Sequence, residues 1–199
     1  MKIRFCLSIL LLLLLGSQIV FSQSEDKYIN ARKDIIDFRN NSVLLVRLQT
    51  RDKSIQAYRD RNMNEYADKL QNEQDLLNKR IIQAFEDYYN FTQVYYFLSS
   101  DSRHIINQTY DSISFVNIDL KPDPSIKPNL TSFYVAQFGI VSSETDALGV
   151  FIMNSMLEKL QKPFPYYAKS PFFSSKNNTP WKTVKRLNKN LHFYYQQAR

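Results

Sequence analysis

The sequence has almost no cysteine. Cys6 is the one cysteine among 199 residues, and it lies in an apolar run near the start of the chain. Removal of that run on export would leave a mature chain without cysteine. Disulfide bonds, a disulfide-linked partner, thiolate catalysis and cysteine-ligated metal sites are then excluded. We therefore expect the hydrophobic core alone to hold the fold together.

Glycine and histidine are also scarce. Three glycines are present, against an average usage of about 7%, so neither G-x-G-x-x-G nor a P-loop can be formed. His104 and His192 are the two histidines. A histidine-based zinc site usually needs two or three such ligands together with carboxylates. We therefore expect neither a metal ion nor another cofactor.

Residues 1–22 have the layout of a secretory signal peptide. A positively charged start precedes the apolar run Phe5–Leu15, and Ser22 ends a small-residue cleavage motif before Gln23. The run is shorter than the about 20 residues that a membrane-spanning helix needs. We predict export, to the periplasm or beyond. The mature chain, 23–199, is then expected to form a single α+β domain with a helical N-terminal part.

Hydrophobic periodicity predicts two long helices. Over residues 62–89, apolar side chains recur at helical spacing between Met63 and Tyr88, with charged residues on the opposite face. Thr179-Pro180 is typical of a helix start, because threonine caps the first amides and proline is tolerated in the first turn. An apolar stripe follows, so a C-terminal helix is predicted over 180–197.

Branched and aromatic runs predict the strands. These runs are Val43–Leu48, Val94–Leu98, Ser112–Ile118, Ser132–Ile140 and Ala147–Asn154. The last two are expected to form a hairpin. We therefore predict an α+β fold, with a mixed or antiparallel sheet of about five strands packed by the helices at 62–89 and 180–197.

Four features of the sequence resemble a group of uncharacterised exported proteins from Bacteroidetes-type Gram-negative bacteria. They are the export signal ending in Phe21-Ser22-Gln23, the strand Leu44–Leu48, the run Val94–Phe97 followed by Ser100–Ser102, and the segment Leu160–Tyr167. The resemblance spans most of the mature chain. It implies a periplasmic or secreted location and no particular activity.

The C-terminal part of the chain is strongly basic. No acidic residue follows Glu158, whereas lysine and arginine recur to the end of the chain. Four of these cations lie on one side of the predicted terminal helix; we call Lys182, Lys185, Arg186 and Lys189 the basic stripe. Such a face attracts anionic surfaces and polymers, although an ordinary solvated helix face has the same pattern. Export argues against nucleic acid as the partner.

Two functions are consistent with these observations. The favoured one is an exported cell-envelope protein with a non-catalytic binding or structural role, which contacts an anionic surface or an unknown envelope component through the basic stripe. The alternative is a cysteine-free envelope hydrolase that uses Ser100, Asp101 and His104 in the loop Ser99–His104. A hydroxyl nucleophile needs a base within hydrogen-bond reach and an oxyanion hole. Neighbours in sequence rarely meet that geometry, so a strand-end turn is the simpler interpretation of this loop.

Overall fold

The structure is a computed structural model that describes residues 25–142, 147–170 and 179–199. The predicted signal peptide, 1–22, lies outside the described residues. The elements follow in the order α1 (25–41), β1 (Val43–Leu48), α2 (Asp52–Arg59), α3 (Asn64–Tyr88), β2 (Val94–Leu98), α4 (Ser102–Ile106), β3 (Phe133–Ser142), β4 (Ala147–Met153), β5 (Tyr167–Lys169) and α5 (Thr179–Ala198).

The five strands form one mixed sheet in the order β2-β1-β3-β4-β5. Strand β1 pairs in parallel with both β2 and β3, whereas β4 is antiparallel to β3 and to β5. The parallel pair β1–β2 follows from the helices α2 and α3 between them, because a parallel connection needs a long crossover. The predicted α+β class, with a mixed sheet packed by α3 and α5, is confirmed.

The three long helices cover one face of the sheet. Alternate residues of β1 point to opposite faces, and Leu44, Val46 and Leu48 face these helices. The core on this side also contains buried side chains from α1, α3 and α5, namely Ile35, Phe38, Ile82, Phe85, Val184, Leu187 and Leu191. We call this the helical core. It positions α1 and α5 on the same side of the sheet.

Helix α4 and the long segment before β3 cover the other face. Leu45 of β1 and Phe97 of β2 are fully buried there against Ile105 of α4 and Phe115. We call this the loop-side core. Among the described residues, no helix is both long and apolar enough to cross a membrane.

The strand predicted at Ser112–Ile118 is wrong. Residues 110–112 form a 3-10 turn, and Phe115 and Val116 make only isolated bridges. The reason lies in Asn117, whose side-chain oxygen accepts the backbone N–H groups of Asp119 and Lys121 and so turns the chain directly after Val116. The fifth strand is instead β5, in a proline-rich segment where the Lys162–Pro163 bond, whose isomer the sequence leaves open, is cis.

Candidate anion-binding groove

A groove of about 690 Å³ runs beside β5 at the edge of the sheet. Its walls come from α1, from the segment before β5, from β5 itself and from α5. We call it the basic groove, and its lining residues are Lys27, Tyr28, Lys162, Pro163, Phe164, Pro165, Tyr167, Ala168, Lys169, Arg186 and Asn190. Ligand sites in proteins are typically concave and of about this volume.

All four charged residues in this lining are cations, namely Lys27, Lys162, Lys169 and Arg186. An ion pair joins Arg59 to Asp68 on the surface of α2 and α3, outside the groove. None of the four groove cations has a carboxylate within ion-pair distance among the described residues. Cations that converge on one concave surface focus a positive field there. The arrangement favours an anion.

Arg186 connects two walls of the groove. Its guanidinium Nη1 donates to the carbonyl oxygen of Lys169 at 3.4 Å, which ties α5 to β5. A guanidinium has five N–H donors in a rigid planar fork. One of them is used in this contact, so others are available to a ligand. The contact thus gives the cation a defined position beside the strand.

The apolar part of the groove is anchored by Phe164. This side chain is buried in the helical core, where its ring lies 6.2 Å from Tyr134 in a stacked arrangement and 6.4 Å from Phe38. The flanking Pro163 and Pro165 are half-buried. Because the central ring is fixed in the core, the two proline rings and Lys162 are presented at the groove from a well-packed base.

The structure divides the basic stripe. Arg186 lines the basic groove. Lys185 and Lys189 line a separate hollow of about 360 Å³ together with Glu86 and Asp87, at the end of α3. The acidic neighbours reduce the positive field there.

Two lysines of the basic stripe also lie against aromatic rings. The Lys182 Nζ atom is 5.5 Å from the Trp181 ring centre, and the Lys185 Nζ atom is 5.7 Å from that of Tyr88. Both distances are within the range of cation–π contacts. These two side chains therefore pack partly on their own domain.

The hydrogen bonds of the Ser99–His104 segment do not form a catalytic relay. Ser99–Asp101 is a 3-10 turn, and the residues after it belong to α4. The Ser100 hydroxyl donates to Asp101 at 3.3 Å, whereas the His104 Nδ1 atom is 3.0 Å from the hydroxyl of Thr109. Asp101 also accepts the backbone N–H of Ser114 at 2.9 Å. Each contact stabilises a turn, and none joins Ser100 to His104.

Arg47, a half-buried cation on the loop-side face, was not among the predicted site residues. Its Nε donates to the Ser102 hydroxyl at 2.6 Å and its Nη1 to the Gln137 side-chain oxygen at 2.5 Å. Both partners are neutral, and burial lowers the pKa of Arg47. The signal in the sequence was an arginine inside an apolar strand, two positions after Leu45 and therefore on the same face. These contacts with neutral partners indicate a structural network that joins β1 and β3 to α4.

The described ranges contain no group of three or more histidine, cysteine, aspartate or glutamate residues placed to hold a metal ion. Comparison of the chain with protein-family models, with curated proteins and with solved structures finds no match.

Proposed function

We propose that this protein is exported to the periplasm or beyond and binds an anionic component of the cell envelope through the basic groove, without catalysing a reaction. One observation supports this more than any other. Four cations from α1, the segment before β5, β5 and α5 line a single concave surface that has no acidic residue in its lining. Export is supported by the signal-like residues 1–22 and by the sequence resemblance to exported proteins.

The proposed binding site is the basic groove rather than the basic stripe. Arg186 belongs to both, whereas Lys185 and Lys189 lie beside Glu86 and Asp87. A polyanion that approached those two lysines would also meet two carboxylates. The repulsion from the carboxylates would offset part of the attraction.

The test compares two matched double variants of the mature chain, 23–199. Lys27→Gln with Arg186→Gln removes two cations of the groove, and Lys185→Gln with Lys189→Gln removes two from the other hollow. Binding of dextran sulfate is measured by isothermal titration calorimetry at low salt. Because a charge-assisted contact contributes about 1.5–3 kcal/mol, the groove variant should bind at least about tenfold more weakly.

The control variant should stay within about threefold of the wild type, since exposed charges outside a site contribute little. An equal loss in both variants would assign binding to the whole C-terminal helix rather than to the groove. Unchanged binding in the groove variant would refute the proposal. Circular dichroism of both variants verifies that the fold is retained.

A further inference from the structure

The polar and apolar groups of the basic groove define its ligand more closely, on the assumption that the proposed function is right. Tyr28 is 59% exposed at one wall, and the proline rings of residues 163 and 165 form part of another. Flat apolar rings beside cations suit a ligand with both apolar faces and negative charges. Asn190 adds an amide that can donate to and accept from hydroxyl groups.

Sugar rings that carry acidic groups have this combination of properties. The C–H faces of a sugar ring are apolar and pack on aromatic and proline rings, while its hydroxyls need donors and acceptors at the edges. Carboxylate or sulfate groups on the sugars would meet Lys27, Lys162, Lys169 and Arg186. Each lining group of the site then has a chemical counterpart on the ligand.

An acidic peptide is the main competing ligand, because β5 is an edge strand and a peptide can add to such an edge as a further strand. In the β4–β5 pairing, the backbone groups of Tyr167 and Lys169 point away from β4. The Lys169 carbonyl already accepts Arg186, so among the described residues only the Lys169 N–H and the two backbone groups of Tyr167 are left for a peptide strand. Strand addition depends on a row of main-chain hydrogen bonds. Pro163 and Pro165 have no N–H with which to extend that row.

A lipid surface fits less well for a reason of shape. The four cations lie around a hollow of about 690 Å³ rather than on a convex surface. A flat bilayer cannot enter such a hollow, whereas a polymer chain one sugar wide can. The exposed ring of Tyr28 can pack against a ligand in the groove, whereas one aromatic side chain alone gives only a weak membrane anchor.

We infer that the basic groove binds an acidic polysaccharide, in which Tyr28 and the two prolines pack against sugar rings while the groove cations bind the acidic groups. Comparing the affinity for polygalacturonate with that for dextran sulfate shows whether the acidic groups are carboxylates or sulfates. Dextran, which is neutral, serves as the uncharged polymer.

The first test replaces Tyr28, which is exposed enough for its loss to leave the core intact. Tyr28→Ala is compared with Tyr66→Ala, a tyrosine of α3 with 60% exposure that lies outside the groove. Calorimetry measures binding of polygalacturonate and of polyglutamate, a peptide polyanion with one carboxylate per residue. Tyr28→Ala should weaken polygalacturonate binding about fivefold, as expected for a lost ring contact, and leave polyglutamate binding unchanged. Tyr66→Ala should change neither.

The outcomes separate this inference from the proposed function. In one outcome, polygalacturonate and polyglutamate bind equally well, Tyr28→Ala changes neither affinity, and the Lys27→Gln, Arg186→Gln variant binds neither polymer. This result would overturn the inference of a polysaccharide ligand and retain the anion site. Polymer binding that is insensitive to the double variant would overturn both. Phosphatidylglycerol vesicles that sediment the protein more effectively than either polysaccharide binds it would overturn the inference in favour of a membrane surface.

Discussion

His192 joins α5 to the connection between α3 and β2. Its Nε2 atom lies 2.8 Å from the side-chain oxygen of Asn90, and its ring packs edge-on against Phe91 at 5.2 Å. The same oxygen accepts the Asn188 amide at 3.0 Å. Because Asn90 offers an acceptor, the histidine nitrogen donates. Burial, and then the nearby Arg39 guanidinium, lower the pKa of His192.

This lowered pKa predicts a pH-dependent contribution to stability. In the unfolded chain an ordinary histidine has a pKa of about 6.5, and in the folded protein the pKa is lower, so the unfolded state binds more protons between the two values. The contribution is therefore complete above about pH 6.5 and is lost as the pH falls through the folded pKa. Between about pH 7.5 and 5.5, His192→Gln should lose less stability than the wild type does.

Urea denaturation at a series of pH values measures the effect. His104→Gln is the matched control, because it removes the other histidine, which contacts Thr109 rather than the Asn90 cluster. We expect this control to follow the wild type. A His192→Gln variant whose midpoint falls with pH as steeply as that of the wild type would show that His192 is not the source.

At the scale of elements, the approach of β5 to β4 depends on Gly149. A Cβ atom at this position would lie 2.2 Å from the carbonyl oxygen of Ala168, whereas a Cβ at Gly139 would lie 3.5 Å or more from its neighbours. The two glycines face each other across the β3–β4 pair. Gly149 therefore allows the close contact that places β5, and with it Lys169, at the groove.

Gly149→Ala should displace β5 and weaken both the fold and the site. Overpacking of this kind costs about 1–3 kcal/mol of unfolding free energy, and binding of dextran sulfate should fall because Lys169 and Arg186 lose their arrangement. Gly139→Ala places the same methyl group in ordinary contact and should have little effect on either property. Chemical denaturation and calorimetry test both variants. Equal stability and equal affinity in the two would contradict this role of Gly149.

Element prediction from the sequence succeeded where a pattern was long. The helix predicted at 62–89 is observed as Asn64–Tyr88, and the one predicted at 180–197 as Thr179–Ala198. Over many helical turns, the periodicity of apolar residues predicts a helix even where a single polar residue interrupts the apolar face. Strand β5 has three residues and was missed, because so short a strand exists only through its pairing with β4. The local sequence does not predict that pairing.

At the scale of the whole molecule, one residue of the basic groove was predicted as a binding residue. Arg186 belonged to the basic stripe. Lys162 and Lys169 lie in the strongly basic part of the chain after Glu158, but they were not predicted to bind a ligand. Helical spacing groups residues of one element only, so it favoured Lys185 and Lys189 on the same helix. Lys27 is far away in sequence and reaches the groove only because α1 and α5 pack on the same face of the sheet.

The shared sheet also predicts that the two cores unfold together. Ile105 of α4 is buried in the loop-side core, whereas Trp181, the one tryptophan, packs against the helical core 5.7 Å from Tyr88. Ile105→Ala should lower the unfolding free energy by about 2–5 kcal/mol.

Because β1 contributes alternate residues to both cores, the urea transition of Ile105→Ala followed by Trp181 fluorescence should shift by the same amount as the one followed by circular dichroism. Ile106→Ala, at a neighbouring position that is 61% exposed, is the matched control and should shift either transition by no more than about 0.5 kcal/mol. The contrary outcome is a fluorescence midpoint of Ile105→Ala that stays at the wild-type value while the circular dichroism transition splits in two. The two faces of the sheet would then unfold as independent units. Destabilising the loop-side core would in that case leave the groove on the helical side intact.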